Sequence, residues 1–211
     1  MTTATTNDGT DHGARQAFAQ ASKQLLRDTV LGAANDLAAQ RSWSSITMAQ
    51  IATAAGVSRQ TLYNEFGTRD DLATAYVLWA SGQFLDEIER VVGGHDGDLR
   101  SALAAAFELF LELAVEHPLV RALGATTGAE GLHALVATSA GAPVIAAATD
   151  RLAAIAAAAA PDVADDDRRI ACEIIVRLAI SHLTVPTGPA DVAAANVDRV
   201  IGPFLSALTT R

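Results

Sequence analysis

Apolar residues along this chain recur three or four positions apart, and alternating apolar–polar runs are almost absent, so the pattern predicts helices throughout. A first helix is expected from about Arg15 or Ser22 to Gln40, with Leu25, Leu26, Val30, Ala33 and Leu37 as its buried stripe. Trp43 comes next, in a short turn, and is expected to plug a small core. A short helix then runs from Thr47 to Ala55, stops at Gly56 and restarts at Ser58. Thr68 caps a long helix from Arg69 to about Val92, whose Leu72, Ala75, Tyr76, Trp79, Phe84 and Ile88 tie the small domain to the large one. Residues 93–97 (Gly-Gly-His-Asp-Gly) read as a flexible loop. Beyond it the pattern predicts a helix from Asp98 to His117 and a region kinked by Gly124, Gly128 and Gly131 over 119–139. A further helix opens at 141–143 and ends at Pro161. Asp165 or Asp166 then caps a helix over 167–184, and a final one spans about 190–208.

The break at Gly56 is the most informative local signal. Thr47 and Ser58 each offer a side-chain oxygen to the free N–H groups at the start of a helix. Gly56 supplies the left-handed residue that a tight corner needs. Ile51, Ala55, Val57 and Leu62 pack the two helices steeply against each other, which is a helix-turn-helix. Its second helix exposes Arg59, Gln60, Thr61, Tyr63 and Asn64, all hydrogen-bond donors, and such a face suits base edges and phosphates in a DNA major groove.

This segment resembles the N-terminal domain of the TetR/AcrR family of bacterial transcriptional regulators. The resemblance rests on Thr47, on Ile51-Ala52-Thr53-Ala54-Ala55-Gly56-Val57-Ser58, on Thr61-Leu62-Tyr63, and on Phe66, Arg69 and Leu72, within about residues 22–79. Two positions depart from the family: Arg69 stands where Lys is usual, and Glu65 where His or Tyr is common. A carboxylate at Glu65 is expected to sit unfavourably beside the phosphate backbone. The fold class expected is all-α, with about nine helices. It has a mobile arm at 1–14, a three-helix DNA-binding domain at 15–67, and a ligand-binding and dimerisation bundle at 68–211 that starts with the long connecting helix. The DNA-binding residues expected are Thr47, Ser58, Arg59, Gln60, Thr61, Tyr63, Asn64 and Arg69. Arg59 and Gln60 are the base readers, and Thr47, Tyr63, Asn64 and Arg69 hold phosphates.

Charge changes the picture only when divided along the chain. The formal net charge is −9. Residues 15–69 carry six basic side chains (Arg15, Lys23, Arg27, Arg41, Arg59, Arg69) against Asp28, Asp36 and Glu65, a local +3 that leaves −12 for the rest. Screening confines phosphate attraction to about 8–10 Å, so the local excess governs DNA affinity. Its small size favours a dimer, with two reading heads on one operator. The lone Cys172 excludes an internal disulfide and reads as a buried apolar residue. The polar N-terminus lacks a signal-peptide apolar core, and no stretch of about 18 uninterrupted apolar residues suggests a membrane span, so a cytoplasmic protein is expected.

No catalytic, metal-binding or cofactor-binding constellation emerges. The five His have no metal-ligand spacing, no Ser sits in a nucleophile elbow, and Asp165-Asp166-Asp167 reads as a solvated helix start. The Ala- and Gly-rich stretch from Gly124 to Ala160 leaves room between bundle helices for a small apolar effector. Expected lining residues are Trp79, Phe107, Phe110, Leu111, Ala114, Ile174, Arg177 and Leu178, with Arg177 either paired to Glu173 or anchoring a ligand carboxylate. The helices at 167–184 and 190–208 are apolar on more than one face, which suits a homodimer built as a four-helix interface. The resulting expectation is a ligand-responsive repressor of a pseudo-palindromic double-stranded DNA operator, with a lipophilic, fatty-acid-like effector. The alternatives are a DNA-binding regulator without an effector, or a helical lipid-binding protein or enzyme.

Overall fold

The computed structural model describes residues 8–92, 98–120, 141–186 and 188–208. The described residues form α1 (Asp8–Gln40), a 3-10 turn (Trp43–Ser45), α2 (Met48–Ala54), α3 (Arg59–Phe66), α4 (Arg69–Val92), α5 (Leu99–Glu116), α6 (Ala142–Ala159), α7 (Asp165–Thr184) and α8 (Ala190–Leu208). The all-α class agrees with the pattern. The loop expected at 93–97 and most of the helical region expected at 119–139 lie outside the described residues.

Three local expectations are corrected. The helix α1 begins at Asp8, so the part of the expected arm from 8 to 14 is helical. Its buried stripe is Val30, Leu31, Ala34 and Ala38, whereas Leu25 is 69% exposed. Leu25 lies on a stretch, from Gly13 to Leu25, in which every residue is exposed. In α7, Asp165 already belongs to the helix and Ala164 takes the cap position. Asp165 instead pairs with Arg168. The buried Arg168 guanidinium also donates to the carbonyls of Val163 (2.8 Å) and Ala160 (3.3 Å), placing a cation at the C-terminal end of α6.

Two apolar cores share α4. The first gathers Val30, Leu31, Ala34, Ile51, Leu62 and Phe66 around Leu72, Tyr76 and Val77, and extends to Leu119 and Val144. The second gathers Leu99, Leu103, Phe107, Leu152, Ala156, Cys172 and Ile175 around Leu85 and Ile88. Trp43 fills the first core as expected, 2% exposed and stacked on Tyr76 with ring centroids 5.0 Å apart and planes 3° from parallel. Burial raises the pKa of the Tyr76 hydroxyl, which donates to Asn35 Oδ1 at 3.1 Å. In the second core, burial pushes the Cys172 thiol up to about 12, so it stays protonated and inert at neutral pH.

Charged pairs tie the outer helices together. Arg100 on α5 forks onto Asp198 on α8 through bonds of 2.8 and 2.7 Å. Gly202 makes room for the pair, since a Cβ there would lie 2.5 Å from Arg100 Nε. By length and composition α6 is long and apolar enough to cross a membrane. Its Asp150 and Arg151, however, pair with Arg169 (2.9 Å) and with Asp86 and Glu89 (2.5 and 3.0 Å), and Val144, Leu152, Ile155 and Ala156 are buried in the two cores.

Trp43→Ala empties the stacking site under Tyr76 and is expected to cost about 3–5 kcal/mol, the usual range for deleting a buried aromatic. Urea unfolding followed by circular dichroism measures this. A loss below about 1 kcal/mol would show that the domain does not depend on the plug.

Candidate nucleic-acid interface and effector cavity

The turn between α2 and α3 is built as its residues require. Thr47 accepts from Gln50 N at 3.3 Å, and the Gln50 side chain accepts from Thr47 N at 2.9 Å, a reciprocal capping box. Gly56 adopts φ +69°. Its N–H donates to Thr53 O (3.2 Å) and that of Val57 to Ala52 O (2.9 Å), the paired bonds of a Schellman closure. Ser58 then caps α3 by accepting from Thr61 N at 3.0 Å, and its hydroxyl lies 2.8 Å from that of Thr61. Leu62 and Phe66 are buried and anchor α3 from beneath.

The exposed side of α3 therefore divides into committed and open groups. Ser58 and Thr61 spend their hydroxyls on the cap. Gln60 Nε2 donates to Asn64 Oδ1 at 2.8 Å, which leaves the Gln60 carbonyl and the Asn64 amide N–H groups facing outward. Arg59 is exposed and Tyr63 is 51% exposed. Arg59, Gln60, Tyr63 and Asn64 thus share one accessible helix surface, with Thr47 exposed at the start of α2.

Two residues sit differently from the sequence expectation. Glu65 turns toward α1, where it accepts from Arg27 at 2.8 Å with Lys23 at 3.7 Å, so its charge is compensated within the domain. Arg27 also covers the Phe66 ring at 4.8 Å. Arg69 is half-buried. Its guanidinium donates to Trp43 O (2.7 Å) and Ile46 O (3.2 Å) and lies 5.7 Å from the Trp43 ring centre. These donors hold the loop that leads into Thr47. No sequence pattern signals such a bond across more than twenty residues.

A cavity of about 90 Å³ lies where the two cores meet. It is lined by Val77, Ser81, Phe84, Leu85 and Ile88 from α4 and by Ala106, Phe107 and Phe110 from α5. Leu119, Val120, Val144, Ala148 and Leu152 add to it, as do Ile175, Val176, Ala179, Ile180, Leu183 and Thr184. Of the eight residues expected from sequence, Phe107 and Phe110 line it. Trp79 packs with Tyr76 in the first core, their centroids 6.4 Å apart. Leu111 and Ala114 are buried in the bundle, and Leu178 packs against the second core. Ile174 is 40% exposed, and Arg177 pairs with Glu173 at 2.7 Å on the same outer side of α7. The inward stripe of α7 is Ile175, Val176, Ala179, Ile180 and Leu183. Arg177, three residues from Ile174 and seven from Ile170, was the sequence signal for which side stays wet.

His117 packs beside this region against Phe84. Its ring lies 4.5 Å from that of Phe84, and its Nδ1 accepts from Leu119 N at 3.1 Å. Burial holds its pKa below the ordinary 6.5.

A helix-turn-helix with an open donor face, carried on a helical bundle with an apolar cavity, defines a DNA-binding transcriptional regulator. The comparisons specify the family. Residues 30–76 match the model of the bacterial regulatory proteins of the tetR family, and residues 98–203 match the bacterial tetracyclin repressor C-terminal domain. The chain is 36% identical to the HTH-type transcriptional regulator AlkX of Mycobacterium tuberculosis strain H37Rv over 190 residues, 90% of each chain. It is 37% identical to the solved TetR family repressor AlkX of Dietzia sp. strain DQ12-45-1b, implicated in biodegradation of n-alkanes. That match has a TM-score of 0.74 and covers 85% of this chain and 97% of that one. RolR with resorcinol, 18% identical at a TM-score of 0.58 over 92% of this chain and 96% of its own, shares the fold. The chain belongs to the TetR family, whose members are transcriptional regulators and not enzymes.

Two predictions test these local assignments. Arg69→Ala removes two charged donors from the Trp43–Ile46 loop and is expected to lower the unfolding free energy by about 1–3 kcal/mol. Unchanged urea unfolding would sever Arg69 from that role. For His117 the folded state favours the neutral ring, so the unfolded chain binds more protons. Stability is then full above about pH 6.5 and falls as the pH drops toward the folded pKa. His117→Asn keeps an acceptor for Leu119 N but does not titrate, and should flatten the stability profile between about pH 7 and 5. A profile of unchanged slope would exclude His117 as its source.

Proposed function

We propose that this protein is a homodimeric, ligand-responsive repressor that binds a pseudo-palindromic operator and is released by a lipophilic straight-chain effector of fatty-acid-like shape. The observation that carries this reading is the place of the cavity: its wall is shared by both cores and by α4, the helix that also seats the reading head. An effector that enters there wedges Val77, Leu119 and Val144 of the first core against Leu85, Phe107 and Leu152 of the second. If it binds one disposition of α4 better than the other, it shifts the separation of the two reading heads. The apolar wall favours a hydrocarbon chain, and the implication of the 37%-identical Dietzia repressor in n-alkane biodegradation points the same way.

In the DNA complex each α3 enters a major groove about one helical turn from its twin. Arg59 and Gln60 read base edges, with Gln60 exchanging its bond to Asn64 for an adenine. Thr47, Tyr63 and Asn64 hold phosphates. Arg69 acts through Thr47, by fixing the loop before it. The dimer forms through α7 and α8, which leave Ile170, Ile174, Val192, Val200 and Phe204 exposed at 40–78%. The protein works in the cytoplasm, where it meets its operator.

Sequencing of DNA fragments retained by the purified protein, then release assays with fatty acids, alkanes and polar metabolites, tests the whole reading. Release by polar metabolites alone would overturn the effector class. Arg59→Ala should cost about 1–3 kcal/mol and relax preference at one base pair. Unchanged affinity and preference would remove Arg59 from base reading. Phe204→Glu with Val200→Lys alters only exposed side chains and should convert a particle of twice the chain mass, measured by light scattering, into a monomer that binds the operator poorly. A dimer that persists would place the interface elsewhere.

A further inference from the structure

Among the described residues that line the cavity, only Ser81 and Thr184 carry a polar side-chain atom, and none is charged. The two hydroxyls are not equivalent. Thr184 donates to the carbonyls of Ile180 (3.0 Å) and Ser181 (3.1 Å), so its proton is spent on its own helix. Ser81 is half-buried and makes no hydrogen bond among the described residues. A serine within a helix readily returns its proton to the carbonyl one turn back, as Thr29, Thr53 and Thr74 do here with hydroxyl–carbonyl distances of 2.7–3.0 Å. The Ser81 hydroxyl is thus uncommitted within the protein and still accessible beside an otherwise apolar wall, and a ligand with a group that pairs with it gains over a ligand without one.

The place of Ser81 on α4 gives that contact a consequence. Val77, Ser81 and Leu85 succeed one another at intervals of four along one face, and all three line the cavity. Val77 belongs to the core of the reading head and Leu85 to the core of the bundle. Ser81 is therefore the polar point at which a ligand can grip the connecting helix between its two anchorages. Phe107, Phe110 and Leu152 offer the hydrocarbon part of the same ligand its apolar wall.

We infer that Ser81 is the head-group anchor of the cavity, and that the effector is a straight-chain lipid with one terminal oxygen group, an alcohol or a carboxylic acid. This rests on the lipophilic-effector reading above and adds to it the polar end and its seat. Ser81 acts by positioning the ligand head on α4, and the chain supplies the remaining affinity.

The test is calorimetric titration of the full chain with n-decane, 1-decanol and decanoic acid, repeated for Ser81→Ala and Ser81→Thr. The wild type should bind 1-decanol or decanoic acid about 2- to 10-fold more tightly than decane, the range expected of one neutral hydrogen bond. Which of the two is preferred distinguishes an alcohol head from an acid head. Ser81→Ala should abolish the preference while decane affinity stays within about twofold, and Ser81→Thr, which keeps the hydroxyl, should restore it. An oxygen preference that survives in Ser81→Ala, or an equal loss for all three ligands, would overturn the anchor and leave the lipophilic cavity standing. Failure of all three to bind the wild type would overturn the lipophilic-effector reading and the anchor with it.

Discussion

Trp43, stacked face to face on Tyr76 and capped from outside by Arg69, joins the loop before the helix-turn-helix to the long helix α4. The small domain depends on that junction for its shape. The indole fills the middle of a core that α1, α2, α3 and α4 build together. The Arg69 guanidinium ties down the Trp43 and Ile46 carbonyls next to Thr47, where α2 starts. The start of α2 sets the Gly56 corner, and that corner sets the angle of α3. The orientation of the reading helix is thus referred to α4 by aromatic stacking and charged hydrogen bonds, both of which tolerate little displacement.

Because α4 continues into the second core, it is a lever with two packed ends. The cavity lies between those ends, lined by residues of both cores. The surrounding charged pairs, Arg151 with Asp86 and Glu89 and Arg100 with Asp198, lie toward the surface and contribute little stability individually. They register helices whose apolar faces would otherwise slide on one another. The apolar packing is where the energy resides.

Charge is distributed to match. The excess of basic groups lies in the reading head, yet part of it is internal: Lys23 and Arg27 face Glu65, and Arg69 faces backbone carbonyls. Arg59 is then the exposed cation on α3 itself. A single head offers the operator few free cations, which accords with two heads acting together.

The amino-acid sequence by itself determined the helical class, the helix-turn-helix and the residues on the open side of α3, because caps, a left-handed glycine and a donor-rich face are local properties within a dozen residues. It also suggested that α7 and α8 carry apolar residues on more than one face. The tertiary structure decided which of several adjacent apolar residues on α1 and α7 face the core. Ile175 rather than Ile174 turns inward on α7, and Leu31 rather than Leu25 on α1, because adjacent apolar residues on such a helix leave more than one stripe open until its neighbours are in place; on α7 Arg177 marked the wet side beforehand. The same holds for Glu65 and Arg69. Arg69 read as a phosphate contact and Glu65 as an unfavourable neighbour of the phosphate backbone, and partners distant in sequence, Trp43 and Ile46 for the one and Arg27 for the other, engage both within the domain. The seat of the cavity on Ser81 and Val77 was equally beyond the sequence, since it lies where two cores meet on one helix, and that meeting is a product of long-range packing.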